Sequence, residues 1–160
     1  MNVKDIAKIE AVSERLIRLG ALCDSGFALA IHIRYTRPTI LYRTYDQAWI
    51  EHYSERGFML SDPVVHWGLT HVGGIRWADL ADHDPQGVLR DALAHGLHNG
   101  WTYAVGPQAS RTIAGVTKTG ADFTESQRAE VAQIVDDLHA LTEGFETFTP
   151  DTQAALLALG

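Results

Sequence analysis

Residues 27–43, FALAIHIRYTRPTILYR, decide the fold class. The first half alternates with a period of two, which predicts a strand. One predicted face carries Phe27, Leu29, Ile31, Ile33 and Tyr35. The other face carries Ala28, Ala30, His32 and Arg34. Residues 36–39 predict a tight turn and residues 40–43 the returning strand, so this hairpin predicts an antiparallel sheet.

Helical patterns flank the hairpin on both sides. Upstream, apolar residues recur at helical spacing until Gly20, which is predicted to end the helix: Ile6, Ile9, Val12, Leu16 and Leu19. Downstream, strands are predicted at 101–105 and 111–119, joined by a turn at Gly106-Pro107. Thr124 and Gln127 form a capping box before a helix whose apolar stripe could serve the core or a dimer: Val131, Ile134, Val135, Leu138 and Leu141.

These elements predict an α+β protein of one main domain. We expect an α/β/α sandwich, with a central antiparallel sheet of about five strands and helices on both faces. The length of 160 residues and the hydrophobic content of 46% suffice for one core.

The region between the hairpin and the later strands is rich in aromatic residues. A helix is predicted from Asp46 to Arg56 and closed by Gly57, and it places Tyr45, Trp49 and Tyr53 on one stripe. Two Asp-Pro pairs follow, at 62–63 and 84–85, and each predicts the start of a helix; the first helix would end at 73–74 and the second near residue 95. An aromatic face beside a lone carboxylate suits a pocket for a mostly apolar ligand.

Charge and composition exclude several functions for this chain. A net charge of −7 and a pI near 5.5 argue against nucleic-acid binding by these residues, because phosphate contacts need clustered Lys and Arg. No stretch has the length of a membrane span and the N-terminus lacks a signal peptide, so a cytoplasmic protein without membrane contact is expected.

Catalytic and metal signals are weak. The sequence has no G-x-S-x-G, no H-E-x-x-H and no Gly-rich phosphate loop, so no enzyme activity, cofactor or metal is expected. His95 and His98 share a helical face but have no partner pair with ligand spacing. Nothing near Cys23 in sequence would lower the pKa of its thiol.

The aromatic region also has a purely structural interpretation. An Asp before Pro at a helix start is often only a cap, and Asp62 could be no more than that. Trp49 and Trp77 could simply pack in a core. Taken singly, these residues leave both interpretations open.

Their combined spacing is more specific. Y-x-x-x-W-x-x-x-Y from Tyr45, then DPVV thirteen residues after Trp49, then Trp77 fifteen residues after Asp62, resembles the autoinducer-binding domain of LuxR-type quorum-sensing regulators. The stretch ALAHGLHNGWTYAV at 92–105 extends the resemblance, which covers roughly residues 5–142.

The resemblance implies an α/β/α sandwich enclosing an N-acyl-homoserine lactone between the sheet and one layer of helices. Trp49 would donate its indole N–H to the lactone carbonyl, and Asp62 would accept the ligand amide N–H. Tyr45 would donate its hydroxyl to the acyl carbonyl. One acceptor and two donors match the one amide donor and two carbonyl acceptors of such a ligand.

Three further residues complete the expected site. The resemblance implies that Tyr53 and Trp77 wall the lactone ring and head group. A Ser or Thr on the strand at 111–119 often reaches the acyl carbonyl in this family, and Thr117 matches that role here. The turn at 36–39 is shorter than the family's usual loop, which helps to cover the acyl chain.

The resemblance also implies a domain division and partners. Residues 1–145 are expected to form the autoinducer-binding domain, and residues 146–160 a linker and the start of a truncated or missing helix-turn-helix domain. DNA would be bound only through that further domain, and a homodimer is expected. Alternatives are a regulator without such a domain that sequesters signal or heterodimerises with full-length relatives, a pocket for a different small-molecule signal, and a lactone-cleaving enzyme.

Overall fold

The computed structural model describes residues 1–159 and contains a five-stranded antiparallel sheet in the order β2-β1-β5-β4-β3. The strands are β1 (Phe27–Arg34), β2 (Arg37–Arg43), β3 (Gly73–Arg76), β4 (Trp101–Val105) and β5 (Arg111–Val116). The helices are α1 (Val3–Leu22), α2 (Gln47–Glu55), α3 (Pro63–Thr70), α4 (Val88–Ala94), α5 (Glu125–Leu141) and α6 (Pro150–Leu157).

The helices form two layers, one on each face of the sheet. Side chains of α1, α5 and α6 share one buried cluster with β1, β2 and β5. Side chains of α2, α3 and α4 belong to separate, smaller clusters on the opposite face. The predicted α/β/α sandwich with about five antiparallel strands is therefore confirmed.

The layer of α1, α5 and α6 is solidly packed. Val131, Ile134, Val135 and Leu138 of α5 are completely buried in this core, so the stripe serves the core and the expected homodimer would need another surface. Helix α6 follows an N-cap at Thr149 and packs on the same core, where the Tyr42 hydroxyl donates to the carbonyl of Leu156 at 2.7 Å. Part of the segment 146–160, expected to be a linker and the start of another domain, is thus docked on the sheet.

Strand β1 changes its facing pattern at a β-bulge, which corrects the predicted alternation. His32 has φ 50° and the register with β5 shifts between Ala30 and Ile33. An extra residue in one strand reverses the faces of all that follow. His32 therefore turns toward α5, where its ring lies 4.2 Å from that of His139, and Ile33 turns to the opposite face.

The hairpin turn also differs from the prediction at 36–39. Arg34 pairs with Arg37, so the loop is only Tyr35 and Thr36. Tyr35 has φ 60° and a side chain that is 98% exposed, so it belongs to neither face of the strand. The predicted tight turn therefore starts one residue late and ends three residues late.

Several predicted boundaries are wrong by a few residues. Helix α1 continues past Gly20 to Leu22, because a glycine in a helix weakens it without ending it. Helix α4 begins at Val88 and not at Pro85, although the Asp84 carboxylate does accept from the backbone N–H groups of Val88 and Leu89. Residues 73–74 begin β3 instead of closing α3, and β5 ends at 116.

A ligand cavity between the sheet and three helices

A cavity of about 530 Å³ lies between the sheet and the layer of α2, α3 and α4. Its floor follows the strand register in two rows. Gly115, Ala28 and Arg43 pair side by side across β5, β1 and β2 in the first row. Ile113, Ala30 and Leu41 pair in the second.

Small side chains create this space. At 28, 30 and 115 the strands present only methyl groups or hydrogen to the cavity, whereas the alternate residues fill the opposite core. Because a void in a protein interior forfeits the contacts of its lining, one of this size is expected to hold a ligand.

The roof is formed by α2 and by Tyr45, which lies just before the N-cap Asp46 and not on the helix as predicted. Tyr45, Trp49 and Tyr53 all line the cavity, as predicted from their spacing. Trp49 is buried and its ring lies 5.8 Å from Tyr53 and 6.2 Å from Phe58 in tilted or edge-on contacts. Such geometry fixes the plane of the indole.

Asp62, the N-cap of α3, also lines the cavity. It is only 8% exposed, and its Oδ1 accepts the backbone N–H of Val64 at 2.9 Å, which confirms the predicted N-cap. Its Oδ2 accepts the hydroxyl of Tyr53 at 2.7 Å. Burial raises the pKa of Asp62, and the two hydrogen bonds oppose that shift only in part.

The donors around Asp62 differ in whether they have partners. The Tyr45 hydroxyl donates to the carbonyl of Gly115 at 2.9 Å, and the Trp77 indole N–H donates to Thr102 Oγ1 at 2.8 Å. Within residues 1–159 the indole N–H of Trp49 has no hydrogen-bond partner. Trp49, whose indole N–H is unpartnered within these residues, and the buried Asp62 therefore line the same cavity.

Trp77 closes the side of the cavity. It lines the space, packs with Leu80, Leu89 and Val64, and its position is fixed by the bond to Thr102. The five residues predicted at 45, 49, 53, 62 and 77 are thus brought together around one cavity.

Thr117 does not join them. Its hydroxyl donates to the carbonyl of Gly26 at 2.9 Å, and its completely buried side chain is not part of the cavity lining. Strand β5 ends at Val116, so Thr117 lies beyond the sheet. The cavity position on β5 nearest Tyr45 belongs to Gly115, which the sequence pattern did not reveal because a glycine weakens the strand signal.

Other candidate residues show no catalytic or metal-binding arrangement. Among the described residues, no three His, Cys, Asp or Glu side chains are grouped to hold a metal ion. His95 stacks on the ring of His52 at 4.9 Å and bonds to its own helix. Burial raises the pKa of the Cys23 thiol to about 12, the opposite of what a nucleophile needs.

A sheet-and-helix sandwich around an apolar cavity with a few directed polar groups has the form of a small-molecule-binding domain. The family model described as "Autoinducer binding domain" matches residues 25–145. That match takes in well over half of the sequence, so the chain belongs to the autoinducer-binding domains of LuxR-type regulators. Over residues 1–159, no helix is both long enough and apolar enough to cross a membrane.

Two curated relatives match part of the chain. Regulatory protein SdiA of Escherichia coli (strain K12) is 32% identical over 71 residues, which are 44% of this chain and 30% of that protein. Transcriptional activator protein VanR of Vibrio anguillarum is 31% identical over 72 residues, with the same two shares of 44% and 30%. The matched segment is therefore less than a third of each relative.

Solved structures share the fold. SdiA in complex with octanoyl-rac-glycerol has a TM-score of 0.67 and 21% identity, covering 89% of this chain and 63% of that one. CepR2 of Burkholderia cenocepacia, described as an N-acylhomoserine-lactone-dependent LuxR-family transcription factor, has a TM-score of 0.60 and 12% identity, covering 91% and 97%. These likenesses support the sandwich independently of the sequence matches.

Proposed function

We propose that the cavity binds an N-acyl-homoserine lactone. The observation that carries the proposal is the buried side chain of Asp62, which lines the same apolar cavity as Trp49, whose indole N–H is unpartnered within residues 1–159. A ligand amide N–H would give the buried carboxylate the charge-assisted hydrogen bond that burial makes valuable. The lactone carbonyl would accept from Trp49.

Tyr45 supplies the second donor. Its hydroxyl already reaches the carbonyl of Gly115 at the cavity floor, and it would turn to the ligand's acyl carbonyl. Tyr53 holds Asp62 through its hydroxyl, so its role is to orient the carboxylate as well as to wall the head group. Trp77, fixed by Thr102, would cover the lactone ring.

The acyl chain would lie over the small residues of the floor. Each buried methylene contributes about 0.8 kcal/mol, whereas a neutral hydrogen bond contributes about 0.5–1.5 kcal/mol net. Chain length therefore governs affinity, and the polar set governs which head group is accepted.

Asp62→Asn tests the role of the carboxylate. Asparagine caps helices well, so the bond from Val64 is retained while the buried charge is removed. We expect the unfolding free energy of the ligand-free protein to be unchanged or higher at pH 7, and Kd for the lactone to rise at least about tenfold because hydrogen bonds to charged groups are worth about 1.5–3 kcal/mol. Thermal unfolding with and without ligand and calorimetric titration measure the two quantities.

Asp84→Asn is the matched control. Asp84 also accepts two backbone N–H groups at a helix start, but it does not line the cavity. This variant should change stability alone and leave Kd within about twofold. If wild type and Asp62→Asn bind the lactone equally well, Asp62 acts only as a helix cap.

A second candidate ligand class is an acyl ester of a polyol. It is favoured by the octanoyl-rac-glycerol bound to the structurally similar SdiA, since a glycerol hydroxyl can donate to a carboxylate as an amide does. Displacement of a bound lactone by monooctanoylglycerol, lost in Asp62→Asn, would show that both use this site. If a high excess of monooctanoylglycerol does not displace the lactone, the site accepts only ligands with an amide.

We further propose that the domain serves a transcription regulator whose DNA contacts lie in another domain. The names of SdiA and VanR as regulators and the net charge of −7 on this chain support that division. Sequestration of signal by this domain alone is the alternative. Sedimentation with and without lactone would test the expected homodimer, and a gel-shift assay of this chain alone should show no DNA binding.

A further inference from the structure

The cavity does not close at the edge of the sheet. Three exposed apolar side chains, Leu41, Met59 and Leu60, belong to the cavity lining, at 44%, 44% and 78% exposure. We call these three the rim. We propose that the rim binds the distal carbons of a long acyl chain, so that the ligand of this domain carries a dodecanoyl or longer group; this rests on the function proposed above.

The buried end of the cavity fixes the direction of the ligand. The polar anchors Trp49 and Asp62 are almost fully buried, whereas Leu41, on the edge strand β2, is 44% exposed. When those anchors hold the head group, the apolar tail has to extend away from them. The tail must therefore run along the apolar floor toward the exposed end.

The strand register gives the length of this path. Gly115, whose carbonyl marks the Tyr45 contact, and Leu41 are separated by two strand spacings and one two-residue step along the strand. With strands about 4.8 Å apart and a rise of about 3.4 Å per residue, the path is about 12 Å. A short acyl chain ends over Ala28 and Ala30, and only a longer one reaches the rim.

The rim is uncovered because of the short hairpin. The loop between β1 and β2 has only two residues, and its residue Thr36 lines the cavity together with Pro38 of β2. Met59 and Leu60 line the same cavity from the short 3-10 turn Phe58–Leu60. Single exposed apolar residues are ordinary, but three that line one cavity extend its apolar surface to solvent.

A chain that covers the rim should gain affinity with each carbon. Full burial of a methylene is worth about fourfold in Kd, and half burial at a surface about twofold. We therefore expect dodecanoyl-homoserine lactone to bind at least about tenfold more tightly than octanoyl-homoserine lactone, with hexanoyl weaker again.

The decisive variant is Leu41→Ser with Leu60→Ser. Both residues are exposed, so the fold should be retained, as thermal unfolding of the ligand-free protein would show. We expect Kd for the hexanoyl and octanoyl lactones to stay within about twofold of wild type, and the dodecanoyl advantage to shrink to about threefold or less. Leu93→Ser, an exposed Leu outside the cavity lining, is the matched control and should keep the wild-type advantage.

Three outcomes separate the claims. Wild-type affinity that peaks at hexanoyl or octanoyl overturns the rim proposal while leaving lactone binding intact. Equal weakening of all chain lengths in the double variant also overturns it, because the rim would then not act on the distal carbons. If no lactone of any length binds the wild-type protein, the proposed function itself fails.

Discussion

The two faces of the sheet use the same strands in opposite ways. Toward α1, α5 and α6, β1 presents Phe27, Leu29 and Ile31, all buried in one continuous core. Toward α2, α3 and α4, it presents Ala28 and Ala30, which leave a cavity of about 530 Å³. One face fills its space with side chains, and the other leaves space for a ligand.

This contrast separates stability from binding. The packed face holds the completely buried residues that dominate folding free energy. The cavity face places a buried carboxylate and unfilled volume where neither favours the ligand-free protein. Substitutions on one face should therefore affect mainly stability, and those on the other mainly affinity.

The largest effect is expected from breaking the packed face with Leu138→Ala. Leu138 is completely buried in α5, and truncation of such a residue costs about 2–5 kcal/mol of unfolding free energy. For a chain of this size that lowers Tm by about 5–15 °C. Urea unfolding checks the first value, and lactone titration at low temperature should give a Kd within about twofold of wild type. A loss below about 1 kcal/mol would contradict a tightly packed layer.

A smaller effect, on ligand affinity and not on stability, is expected from Ala30→Leu. The added atoms enter the cavity floor between Ile113 and Leu41, so unfolding free energy should change by no more than about 0.5 kcal/mol or rise. Kd for a lactone should rise at least about tenfold because the added atoms occupy the space of the acyl chain.

Ala114→Leu is the matched comparison for that variant. Ala114 is completely buried on the packed face, where the same added atoms find no space. Overpacking of this kind costs about 1–3 kcal/mol. If the two Ala→Leu variants lose equal stability, the cavity face is not open in solution.

Local patterns in the sequence predicted much of this arrangement. The spacing of Trp49 and Tyr53 and an Asp before Pro specify a helical stripe and a cap without tertiary help, and both were confirmed, although Tyr45 lies just before the helix. The strands predicted at 101–105 and 111–119 were likewise found, although the second ends at 116. The aromatic face beside Asp62 also predicted a pocket, whereas the part that each side chain would take in holding a ligand was implied only by the family resemblance.

What sequence missed depends on tertiary contacts. The bulge at His32 has no glycine to mark it; it is held by bonds from its ring to Ser110 Oγ and the carbonyl of His139, both distant in sequence. Strand β3 begins with two glycines of low β propensity and forms only because β4 pairs with it. Thr117 lies just beyond β5, whose last residue, Val116, pairs with both β1 and β4, and no local signal shows that end.

The smallest effect is expected from titration of His139, on the packed face. Its Nδ1 lies 2.6 Å from Thr112 Oγ1, and the same oxygen accepts the backbone N–H of His32. Burial, aided by the neighbouring His32, lowers the pKa of His139, and Asp136 and Glu143 oppose the shift only in part. The folded state therefore binds a proton less readily than the unfolded state.

The contribution of His139 to the unfolding free energy depends on pH. The stability contributed by neutral His139 is fully present above its ordinary pKa of 6.5 and is lost as pH falls below that value toward its lowered folded-state pKa. Urea unfolding at pH 7.5 and 5.5 should show a smaller loss in His139→Asn than in wild type. Asp62, whose pKa is raised, has the opposite dependence, since its ionisation weakens the fold as pH rises. The difference between wild type and variant therefore isolates His139, and identical slopes would mean that its ring is not held neutral by this packing.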